Sequence, residues 1–311
     1  MKTEMETTSG ALTASERVAG AGGAEEQSDG ADAGSSLSRR SWARRMLRNP
    51  LGLAGAAFVL VWVLGAVLAP AAGPCCPLNE DLINRLQAPG AGHPLGTDSV
   101  GQDVLAAVLY GGRISLSIGL ATVVLGLVVG LAIGLTAGLV GGLVDEVLMR
   151  TTDLVLAFPI IILVLGIDAA LGPSLVNDLV ALGAVWWPAY ARVTRTQVLS
   201  LRETTFVEAA RALGLPTWRI ALRDILPNMI APLLVLATLD IGNAILTIAA
   251  LGFLGLGVNP STPEWGYMIS AGREYADQWW VSLFPGVAIF TSIMGCNFFG
   301  DALRDALDPL G

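Results

Sequence analysis

Charge is scarce in this sequence: Asp, Glu, Lys and Arg together make up 14% of its 311 residues. Lysine and histidine are nearly absent, Lys2 and His93 being the single examples of each. A chain whose only lysine is Lys2 has no Gly-Lys-Ser/Thr run and therefore no P-loop, so nucleotide-driven work would have to be powered by another polypeptide. The one histidine and the three cysteines (Cys75, Cys76 and Cys296) show no metal-ligand spacing, which excludes a Cys/His metal centre. His93, beside Pro94 in a turn, is expected to be structural. A His/Glu metal motif and a paired nucleophile and base are also missing, which argues against an intramembrane enzyme. Basic residues interleaved with aromatics are absent too, apart from arginines flanking apolar runs, so no nucleic-acid partner is expected.

What the chain has instead is apolar length. It is 53% hydrophobic, with a mean hydropathy of +0.64. Residues 51–69, 114–144 and 281–300 contain no charged side chain. Each run is near or above the roughly 20 residues a helix needs to cross about 30 Å of hydrocarbon. The expected fold is an all-α membrane protein with six transmembrane helices, at about 51–70, 114–142, 154–172, 175–192, 229–256 and 281–300. Fifteen of the 18 basic residues fall in segments that this topology places in the cytoplasm; only Arg85, Arg113 and Arg273 fall outside. The positive-inside rule then sets both termini in the cytoplasm, and the localisation implied is a bacterial plasma (inner) membrane.

Residues 1–48 form a Gly/Ala/Ser/Thr-rich tail that carries much of the acid behind the net charge of −8. So little apolar surface predicts disorder, leaving 49–311 as the membrane domain. Ser38-Arg39-Arg40 before an apolar run resembles a twin-arginine export signal, but the long tail, the second pair Arg44-Arg45 and the further spans downstream argue against cleavage. The adjacent Cys75 and Cys76 fall in an external loop, as incidental small residues or as a pair open to oxidation. Three acids interrupt the spans. Asp168 and Asp178 lie near external span ends and are expected to reach the interface, whereas Asp240, followed by Asn243, lies deeper.

The segment between the fourth and fifth spans is the most informative. Thr205 followed three residues on by Glu208 matches a capping box, Ala209 to Leu213 favours helix, and Gly214 suits its end. Pro216 fits the first turn of a second helix, which should stop or kink near Pro227. Two short helices exposing Phe206, Leu213, Leu215 and Trp218 require a covering surface, either a partner protein or lipid.

Glu208-Ala209-Ala210, then Gly214, then Leu226-Pro227 resembles the EAA loop of bacterial ATP-binding-cassette (ABC) importer permeases. Asp224 stands where that pattern usually has Ile. Gly96-Thr97-Asp98, Gly101 and Asp103 resemble the external signature of the C-type subunit of dipeptide, oligopeptide and nickel permeases, with Gln102 in place of the usual Arg. Leu251 to Val258, Pro263 to Gly266 and Gly300 to Pro309 are similar to further segments of that subunit.

The resemblance runs from about Asn49 to the C-terminus and implies a type I ABC importer permease. It implies a homologous second permease, one or two ATPase subunits that bind ATP and Mg, an external solute-binding protein, and no cofactor on this chain itself. Glu208 to Pro227 would be the coupling loop seated on the ATPase, with Glu208 either capping its helix or meeting a basic group of the partner. Asp240 and Asn243 are candidates for the translocation path, although a buried hydrogen bond would satisfy Asp240 equally well. Rival readings are an ion-coupled carrier with Asp240 or Asp168 as proton site, and a non-transporting scaffold.

Overall fold

The structure, a computed structural model, describes residues 49–72, 81–172, 174–255 and 262–307. The tail, Cys75, Cys76, Leu256, Gly257, Val258, Asp308 and Pro309 lie outside the described residues.

Apolar composition becomes helix throughout, and among the described residues the only β pairing is a single bridge between Thr97 and Asp103. In chain order the helices are α1 (Pro50–Ala72), α2 (Val104–Val140), α3 (Gly142–Leu156), α4 (Ile160–Leu171), α5 (Leu175–Leu201), α6 (Thr205–Ala212), α7 (Thr217–Ile220), α8 (Leu226–Phe253), α9 (Trp265–Gly272) and α10 (Trp280–Leu307). Among the described residues, four stretches are long and apolar enough to cross a membrane: Pro50–Pro70, Val104–Val140, Thr217–Phe253 and Trp280–Leu307. Leu60, Val61, Val67 and Phe290 are among the many large apolar side chains left bare on α1 and α10. A water-soluble protein does not expose patches of that extent, whereas lipid covers them without cost.

The helices differ from the sequence expectation most in two places. The span expected at 154–172 is broken, and α3 and α4 meet at 89°. Pro159 has no N–H to donate and biases Phe158 away from helical geometry, so the helix cannot run through. The span expected to begin at 114 instead begins at Val104, where the Asp103 side chain accepts a hydrogen bond from Ala106 N. At 1.5 Å per residue its 37 residues extend for about 56 Å. Arg113 therefore sits on the helix, exposed, and does not mark its start.

The centre of the bundle is the pairing of α2 with α5. Gly126, Gly130, Gly134 and Gly138 recur every fourth residue on α2, all on one face. A Cβ at Gly134 would lie 2.6 Å from Thr194 Cβ, and one at Gly138 would lie 2.7 Å from Val198 Cβ. Gly126 abuts Trp186, and Gly130 abuts Tyr190 and the Trp187 carbonyl. In lipid, where the hydrophobic effect does little to hold helices together, such a stripe lets backbones approach and gain dispersion contact.

Two poles result. At one lie the α2 N-terminus, the α4–α5 connection and α9. At the other lie the ends of α2 and α5, with α3 and α6 to α7. Asp145 and Asp153 of α3 tie it to the second pole through Arg195 (2.6 Å to Arg195 Nη2) and Arg192 (2.7 Å) of α5.

Candidate coupling and outer-turn sites

Residues 202–227 build a surface with an anchored face and a bare one. Helix α5 ends at Leu201, and Arg202 Nη1 donates to the Gly138 carbonyl of α2 at 3.2 Å. Helix α6 follows with Thr204, not Thr205, in the cap position, and no side chain caps it. The Thr204 hydroxyl is turned back to the Leu201 carbonyl. The capping-box expectation fails because Thr205 already lies within the helix, which puts Glu208 one residue past the position from which a side chain reaches back to the cap N–H.

The end of α6 is a Schellman motif. Gly214 N donates to Arg211 O at 2.9 Å and Leu215 N to Ala210 O at 3.2 Å, with Gly214 at φ +77. These bonds satisfy two carbonyls that the helix end would leave unpaired. Leu215, expected to be exposed, instead packs against the core beside Val207 and Ala210. Pro216 caps α7 rather than entering its first turn, and its carbonyl accepts from Arg219 N at 2.9 Å. Of the stop or kink expected near Pro227, the stop does not occur, and the helix is distorted just ahead of it. A five-residue π turn, Ala221–Ile225, widens the helix, Leu226 N donates to Ala221 O, and the chain continues into α8. A wider turn absorbs the missing proline donor and relieves its ring clash.

Val207, Ile220, Ile225 and Met229 are buried and hold this unit to the bundle. On the opposite face Leu213 is 81% exposed, Trp218 65%, Leu222 56% and Phe206 45%. Glu208, Ala209, Arg211, Arg219 and Arg223 are exposed around them. Glu208 makes no side-chain hydrogen bond or ion pair among the described residues. Leu226 is half-buried, Pro227 exposed, and the Asp224 carbonyl accepts from Asn228 Nδ2 at 2.6 Å.

The segment 81–103 behaves oppositely. Several of its polar groups turn inward. The buried Thr97 hydroxyl donates to Asn84 O at 2.6 Å and accepts from Gln87 N at 2.8 Å. Asp98 accepts from Val100 N and Gln102 N at 2.9 and 2.8 Å. Burial nevertheless pushes the Asp98 carboxyl above the usual range, with those backbone donors pulling the other way. Asp103 caps α2 and meets His93 Nδ1 at 2.9 Å. Gly101, at φ +82, lies directly on the Asp81 backbone, which leaves no room for a side chain. Trp280 Nε1 donates to Thr97 O at 3.1 Å and fixes the turn to α10.

Nearby, the fully buried Glu264 caps α9 through Tyr267 N at 2.8 Å and accepts from Ser115 Oγ at 3.2 Å. Trp265 Nε1 donates to Val108 O at 2.8 Å, and its ring stands edge-on to Trp62.

A family model described as "Binding-protein-dependent transport system inner membrane component" matches residues 130–310. The chain belongs to that family. Its curated relatives include a dipeptide transport system permease of Alkalihalophilus pseudofirmus, 43% identical over 267 residues, covering 86% of this chain and 88% of the relative. The dipeptide transport system permease of Escherichia coli K12 is 46% identical over 270 residues, covering 84% and 90%. A probable D,D-dipeptide permease of the same strain is 41% identical over 262 residues, covering 84% and 88%. This chain is thus a multi-pass, all-α membrane permease subunit of an ABC importer.

Within the permease, Asp240 and Asn243 lie on α8, where Asn243 Nδ2 donates to Asp240 Oδ1 at 3.2 Å. Asn243 is exposed and Asp240 half-buried. Asp168 and Asp178 depart from expectation. They do not reach a surface but are 3% and 5% exposed, inside the α4–α5 hairpin. The α2 glycine stripe escaped the sequence reading altogether, although its fourfold spacing was visible as a small-xxx-small pattern.

Proposed function

We propose that this permease carries di- and oligopeptides into a bacterial cell, with its termini in the cytoplasm and residues 49–311 crossing the membrane six times. The observation that carries the coupling part is the surface at 202–227, where Phe206, Leu213, Trp218 and Leu222 stay bare around an unpaired Glu208 on a firmly anchored base. Exposed aromatic and aliphatic groups ringed by charge are what a protein partner buries. The partner is an ABC ATPase, one or two subunits holding ATP and Mg, and the loop from Glu208 to Pro227 seats in its groove. Peptide specificity rests on the names of the relatives. A homologous second permease and an external solute-binding protein complete the importer, and Asp240 and Asn243 line the path between the two permeases. Nucleotide binding draws the ATPases together, moves the coupling loops and biases the permease pair between two access states.

The test is a mild-detergent purification of the tagged chain expressed with its gene neighbours, followed by peptide uptake in liposomes. Recovery of a second permease and an ATPase, with the ATPase alone lost from Glu208→Lys, supports the reading. Uptake without ATP by the chain alone overturns it in favour of an ion-coupled carrier.

A further inference from the structure

Helix α3 is a rigid piece set between two joints. Gly141 and Gly142 open it at φ +70 and +57, and a Cβ at either would meet nothing within 4 Å. Backbone geometry, and not close packing, therefore calls for glycine there. Beyond its other end the chain breaks at Pro159 and turns through 89° into α4. Breaks at the ends of a helix are where a hinge absorbs movement.

Along its length α3 has little apolar grip. Thr152 is its only buried residue, and the Thr152 hydroxyl returns to the Leu148 carbonyl of the same helix. What fastens α3 sideways is charge. Arg195 lays two arms of its guanidinium on Asp145: Nε donates to Oδ1, and Nη2 donates to Oδ2 at 2.6 Å. Arg192 Nη2 donates to Asp153 Oδ1 at 2.7 Å. Both side chains of the Arg192 pair are more than half exposed, whereas the Arg195 pair is sheltered. The two-pronged pair therefore carries the tie, and the exposed one adds little.

Arg195 is also continuous with the surface at 202–227. It lies six residues before the end of α5 at Leu201, Arg202 is fixed to the Gly138 carbonyl of α2, and α6 starts at Thr205. We propose that Asp145 and Arg195 are a positioning pair for transport, through which displacement of the coupling loop is passed to α4. The end of α5 moves with the loop, and the forked pair makes α3 follow. The two joints then let α3 swing and carry with it the end of α4 next to Pro159. The far end of α4 stays held by its short connection to α5. This inference rests on the coupling reading of 202–227, and it is independent of which solute is carried.

The test uses the whole importer in liposomes, with ATP hydrolysis and accumulation of a labelled dipeptide that the wild type takes up measured together. Asp145→Asn should still co-purify with the ATPase and hydrolyse ATP. Its uptake per ATP should fall on the order of 10-fold, the scale expected of a residue that carries coupling. Exchanging the partners, Asp145→Arg with Arg195→Asp, should restore most of that ratio, because the pair matters and not either residue alone. An unchanged ratio in Asp145→Asn, even with a lowered melting temperature, would make the pair a structural tie and overturn the proposal. An exchange variant that folds yet restores nothing also overturns it. If Asp145→Asn fails to fold, Arg195→Lys, which keeps the charge and loses the fork, is read in the same way. Glu208→Lys, measured alongside, separates the two levels. A normal ratio there removes the coupling reading and this inference with it, whereas a normal ratio in Asp145→Asn beside a defective Glu208→Lys removes the positioning pair alone.

Discussion

The segment 81–103 and the loop 202–227 sit at opposite poles of the bundle, and both stand out in the sequence as polar islands between apolar helices. Structurally they are contraries. At the first pole Thr97, Asp98 and Asp103 spend their side chains on backbone groups and His93, and Trp280 fastens the whole turn to α10. At the second, Val207 and Ile225 anchor the chain while Trp218, Leu213 and Glu208 are left exposed. A motif can thus persist because it completes a fold or because it meets something outside the chain, and the accounting of its polar groups separates the two cases.

Substitutions at the two poles should therefore fail in different ways. Glu208→Lys has the largest expected effect. It should leave expression and melting temperature unchanged yet cut ATPase stimulation and uptake on the order of 100-fold, since a like charge set against a basic partner group at a docked interface costs several kcal/mol. Thr97→Val should do the reverse. Loss of its hydroxyl leaves Gln87 N and Asn84 O unpaired next to a buried side chain, at about 1–3 kcal/mol. The melting temperature falls, and uptake per folded molecule is preserved. If Thr97→Val instead abolished uptake at full stability, the contrast between the poles would collapse.

Gly214→Val is smaller and lies between the two kinds. Open space surrounds Gly214, so the cost is conformational, about 1–2 kcal/mol for a branched residue held at positive φ. Melting should drop slightly, and coupling should fall with it because the Schellman turn sets the angle between α6 and α7. Equal coupling at reduced stability would make Gly214 a fold residue alone.

Much of the fold was legible because apolar runs in a charge-poor chain have little alternative to helix in lipid. The errors have local causes. Arg113 suggested a helix boundary, yet a side chain exposed on a 37-residue helix need not enter hydrocarbon. Pro159 carried a readable break signal that the apolarity of its neighbours concealed. The bare surface at 202–227 was visible as apolar residues at helical spacing beside charges, but which of them faced inward was not: Leu215 is drawn in by the Schellman turn and Thr204 displaces Thr205 at the cap. The burial of Asp168 and Asp178 was hidden for a different reason. A hairpin register depends on where α4 starts, and that in turn depends on the break at Pro159.

Acid offers the finest test, because the two poles should respond to it with opposite sign. Asp145 is held below the usual carboxylate range, chiefly by its hydrogen bonds to Arg195 and then by the charge of that guanidinium. Its clamp of α3 on α5 is present above the unfolded value near 3.9 and is lost as pH falls through the lower folded value. Asp98 is shifted upward by burial, so its share of stability is complete below the same unfolded value and declines as pH rises through the folded one. Segment-resolved hydrogen exchange at about pH 3 and about pH 7 compares them within one molecule, using reference carboxyl values for both. After correction for intrinsic exchange rates, acid should loosen the α3–α5 end while residues 81–103 hold or tighten. Parallel loosening of both segments would mean that Asp98 is retained by its backbone donors in the ionised form, and that the first pole depends on charge as the second does.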